Sequence, residues 1–169
     1  MEESTEKEKL EGVPRVSDYI NLDKVLVSDK PIMTAKEAIG FVFEKIYGTK
    51  EEIAVAIFCD DNLVPLCVAT ADKKKMPHNR MFSPKDIKQT AQFYNASYVT
   101  LLYSCLGLSS EGEKCFSSGD GIAMTKAIAD ACNKVDVKVY DSIVVSSFRE
   151  RPFAEPEPVY HSIMAKEDF

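Results

Sequence analysis

Ala96-Ser97-Tyr98-Val99-Thr100-Leu101-Leu102-Tyr103-Ser104-Cys105 is the stretch on which the fold turns. Tyr98 to Leu102 is a mostly apolar run of the length of a strand, the pattern of a strand covered on both faces. Ser104 to Ser117, rich in Ser, Gly and Glu, is expected to be a loop. Ser118 or Asp120 is then placed to cap a helix through Ala123, Ile128, Ala131 and Val135. Val137 to Val145 reads as the last core strand.

Upstream, Ser83-Pro84 combines an N-cap serine with a proline at the first helical position. The helix it opens carries Ile87, Ala91 and Tyr94 on one face and is expected to end near Asn95. Before it stand two apolar runs, Ile53 to Cys59 and Leu63 to Thr70, joined by Asp60-Asp61-Asn62, which predicts an antiparallel hairpin. Pro65 cannot donate to a ladder, so the second run is expected at a sheet edge. Thr34 with Glu37 three residues on is a capping box. It predicts a helix with Ala38, Phe41, Val42 and Ile46 on its apolar face and Gly48 as its stop. Val25 to Val27 is expected as an edge strand, and Val159 to Met164 as a terminal one. The order helix, hairpin, helix, strand, helix, strand predicts an α/β chain with a mixed sheet.

The chain has 169 residues, a length that predicts one domain. Residues 1–14 are dense in Glu and Lys and are expected to be a disordered lead-in. Residues 15–169 form the single expected domain, with a Pro-rich extension from Arg151 to Pro158. Lys+Arg 21 against Asp+Glu 27 gives a net charge of -6. That balance argues against an electrostatic nucleic-acid binder. No apolar run approaches the ~20 residues that cross a bilayer, and the N-terminus shows no signal-peptide core, so a cytoplasmic protein without a membrane partner is expected. The five cysteines are an odd count, several in or beside apolar runs, and are read as reduced thiols. With two histidines and no CxxC, a dedicated structural zinc site is not expected.

The segment from Ala96 to Ser147 resembles the RadC-like branch of the JAB/JAMM (MPN-type) domain family. The residues that carry this are the strand ending at Cys105, Ser118-Gly119-Asp120-Gly121-Ile122-Ala123-Met124-Thr125-Lys126, and Val137-Lys138-Val139-Tyr140-Asp141-Ser142-Ile143-Val144-Val145. Met81 to Ile87 is similar to the family's helix start, Thr34 to Ala38 to its first helix entry, and Ile53 to Ala71 stands where its hairpin does. The resemblance covers about Pro31 to Ser147. It implies a cytidine-deaminase-like fold, a central mixed sheet flanked by helices.

The resemblance also implies a site, and here the sequence departs from it. Catalytic members hold one zinc with two His and one Asp, and use a Glu before the hairpin as general base. In this chain Tyr103 stands at the first His position, Cys105 at the second, and Leu106 replaces the following Pro. Ser118 matches the family Ser, and Gly121 falls at the Asp position. Asp120 lies one residue early, and one residue on a helix turns a side chain by roughly 100°. Thr125 matches a family Thr in this register, whereas a slip of one would restore Asp120 as ligand. Glu52 matches the general base, and Ser142 replaces a family His after Asp141.

Two functions follow. The first is a non-catalytic RadC-like JAB domain, a pseudoenzyme kept as a binding or scaffolding module for a protein partner or a second copy. The second is a metal-dependent peptidase-like or nuclease-like hydrolase, with a site rebuilt from Cys105, Asp120, Glu52 and His78. The family's association with DNA repair finds no residue here to carry it. Zinc belongs to the second reading only, and the first is preferred because catalytic zinc sites show three clear ligands and a base. Other candidates have plainer readings. Cys105 or Cys115 as a nucleophile lacks a paired His, since only His78 and His161 exist. Ser109-Ser110 and Ser117 to Gly121 as an anion cradle is opposed by Asp120. Lys73-Lys74-Lys75 with Arg80 reads as a solvated loop. Asp141 either supports the site or caps backbone.

Overall fold

The computed structural model describes residues 16–25, 30–42, 53–72, 82–105, 119–146 and 160–162. They form a mixed α/β structure. The strands are β1 (Asn21–Lys24), β2 (Ile53–Cys59), β3 (Pro65–Asp72), β4 (Tyr98–Cys105), β5 (Lys138–Ser146) and β6 (Tyr160–Ser162). The helices are α1 (Ala35–Phe41), α2 (Pro84–Phe93) and α3 (Gly119–Asn133). One six-stranded sheet runs β1-β3-β2-β4-β5-β6. β4 and β5 are parallel and linked through α3, and every other neighbouring pair is antiparallel.

The hairpin forms because Asp60 closes it. Its Oδ1 accepts from the amides of Asn62 (2.8 Å) and Val64 (3.0 Å), an Asx turn that holds Leu63 at φ 66°. The Leu63 carbonyl then accepts from the Ile32 amide at 2.9 Å, which ties the lead-in to α1 onto the hairpin tip. α1 begins with the expected capping box: Thr34 Oγ1 accepts from the Glu37 amide and Glu37 Oε1 accepts from the Thr34 amide. α2 begins at Ser83, whose Oγ accepts from the Lys85 amide. α2 and α3 are followed by Asn95 and Asp136 in the left-handed region, and the next amide bonds back to Ala91 or Cys132.

Alternation along the strands divides the core in two. Ala54, Ala56, Phe58, Leu101, Tyr103 and Val144 face α2 and α3 with Phe82, Ile87, Ala91 and Ile128. Val55, Ile57, Val68, Leu102, Ile143 and Val145 pack with Ala38, Ile39 and Val42 of the α1 region. The sheet is therefore a middle layer.

Several expectations need correction. The edge strand is Asn21–Lys24 rather than Val25 to Val27; of that run only Val25 lies among the described residues, its amide bonded to the Leu66 carbonyl at 2.9 Å. β3 is internal, flanked by β1 and β2. Pro65 is tolerated because it opens the strand, opposite Cys59 where the register shifts. β4 continues through Ser104 and Cys105, which were expected to begin a loop. Phe41 is exposed, and Ile39 takes its place in the core. α3 starts at Gly119, so Asp120 lies inside its first turn and is not its cap. The expected disordered lead-in, Ile46, Gly48, the Lys73 to Arg80 loop and the Pro-rich extension lie outside the described residues. Among the described residues no helix is long and apolar enough to cross a membrane.

Candidate functional site

The parallel pair determines where a site can form. β4 and β5 end side by side, Cys105 opposite Ser146. β2 runs against β4, so its first residue, Ile53, lies at that same end, next to Ser104. α3 connects β4 to β5, and its first turn, with Asp120 and Gly121, follows the segment leaving Cys105. The carboxyl end of a parallel pair, beside a helix start, is where open α/β sheets bind ligands. Cys105, Asp120 and Gly121 are thus carried by elements that meet at one end of the sheet. Glu52, Leu106, Ser118 and His78 lie outside the described residues, and so do Cys115 and the Ser109 to Ser118 stretch. His161 lies on β6, its backbone paired with Val144.

Tyr103 does not belong to an open cleft. Among the described residues it is the largest of the fully buried side chains, and it has no exposed surface. Its neighbours across the sheet are Ala54 on β2 and Val144 on β5. The small Ala54 leaves room for the ring, and Phe82 packs against it at 6.5 Å between centroids, tilted by 49°. Burial pushes the phenol's ionisation well above its ordinary range, and the nearby Phe82 backbone opposes this only in part. A catalytic zinc site keeps one position open to water. A phenol without exposed surface, set among Ala54, Val144 and Phe82, does not line such a position. Among the described residues no three His, Cys, Asp or Glu side chains gather in a way that could hold a metal ion.

The other family-matched positions are structural where their side chains are described. Thr125 on α3 and Ser142 on β5 are both fully buried, and their hydroxyls meet at 3.3 Å. This bond ties α3 to the parallel pair and satisfies two polar groups that burial would otherwise penalise. Ser142, where the resemblance would place a His, thus anchors α3. Asp141 accepts from the Ser142 amide at 2.8 Å, so its carboxylate caps local backbone.

Sequence reasoning missed Ser104. Its Oγ accepts from the Ile53 amide at 2.8 Å and donates to the Ile53 carbonyl at 3.2 Å. One buried hydroxyl therefore holds both backbone groups at the start of β2, the residue that follows Glu52. The only signal in the sequence is a serine prolonging an apolar run, which also reads as the start of a loop. No protein-family model matches this chain, and no curated protein matches it significantly.

Proposed function

We propose that this chain is a RadC-like JAB domain of cytidine-deaminase-like architecture that has lost its metal site and serves as a cytoplasmic binding or scaffolding module, for a protein partner or a second copy. The support for the architecture is the element order: the helix, hairpin, helix, strand, helix, strand succession behind the resemblance is also the succession of α1 through β5. The support for loss of the metal is Tyr103. The first ligand position of the resembling family is occupied here by a phenol without exposed surface, packed on Phe82. Such a side chain adds to the core and gives nothing to a metal.

The test is the metal content of protein purified without a His-tag or chelator, wild type beside Cys105→Ser. The expected result is well below one zinc per chain in both. About one zinc per chain, lost in Cys105→Ser, overturns the proposal and favours the hydrolase with a site rebuilt around Cys105 and Asp120.

A further inference from the structure

We draw no further inference here: the strongest candidate, the surface patch of exposed Met33 and Tyr140 beside Tyr98, where the register of β5 with β4 shifts, is an apolar face for which nothing in the structure shows what covers it.

Discussion

The two faces of the sheet solve the same packing problem with different side chains. Toward α1 the rows are branched and aliphatic: Val55, Leu102 and Ile143 stand side by side across β2, β4 and β5, with Ile57 and Val68 in the next row. Toward α2 and α3 the central rows are small: Ala71 and Ala54 stand beside Tyr103, and Ala69 and Ala56 beside Leu101. Small residues on the strands make space that Tyr103, Phe82 and Phe58 fill. Tyr103 is thus the counterpart of the alanines next to it, and its identity follows from the volume of that layer. The comparison separates a face where volume is spread over many aliphatic groups from one where it rests on a few rings.

The largest effect that could break this comparison is truncation of the ring. Tyr103→Ala should destabilise by about 3–5 kcal/mol, from lost transfer energy and the cavity left beside Ala54. Tyr103→Phe keeps the volume and loses only the hydroxyl, so it should cost within about 0.5–1.5 kcal/mol. Chemical denaturation of both variants measures the difference. A Tyr103→Phe loss as large as that of Tyr103→Ala would mean that the hydroxyl, and not the ring, is what the site needs.

Smaller changes sharpen the contrast between faces. Ala54→Val adds volume where the ring already fills the space, and should cost about 1–3 kcal/mol through overpacking. Ile57→Val on the α1 face removes one methyl from a layer of many, and should cost about 0.5–1.5 kcal/mol. Equal midpoints for the two variants would show that the alanine layer has slack.

The smallest effect is on alkaline stability. On the α2/α3 face, burial raises the Cys132 thiol from 9.0 to about 11, partly offset by Lys88. An acid whose folded pKa is raised ionises more readily when unfolded, so its contribution is intact below pH 9 and is lost as pH rises toward 11. On the α1 face Cys59 is pushed further, to about 12, by burial and then by Asp60. Denaturation midpoints measured across this range should fall for the wild type and fall less steeply for Cys132→Ala.

What was legible in the sequence follows what is local. Thr34 with Glu37, and Ser83 with Pro84, announced α1 and α2 because capping is decided within a few residues. The hairpin was readable because Asp60 closes its own turn. β1 was misplaced because Asn21 to Lys24 pairs through backbone at an edge and offers no apolar pattern, whereas Val25 to Val27 does. Pro65 misled because its position in the strand, which the sequence alone does not give, decides whether a missing donor matters. In the candidate site, the resemblance singled out Tyr103, Cys105 and Gly121, but not that the Tyr103 ring turns into the core. The Ser104 bonds to Ile53, the Thr125–Ser142 pair and the Ser17–Asp86 bond join distant parts of the chain and leave no periodic trace.

The most direct measurement of the central claim is the thermal unfolding midpoint with excess zinc and with chelator, for wild type and Cys105→Ser. A ligand held only by the folded state at about 100 times its dissociation constant stabilises by about 2.7 kcal/mol, a shift of several degrees. The account predicts the same midpoint in zinc and in chelator, with Tyr103 serving as core. An upward shift in zinc that disappears in Cys105→Ser would contradict it.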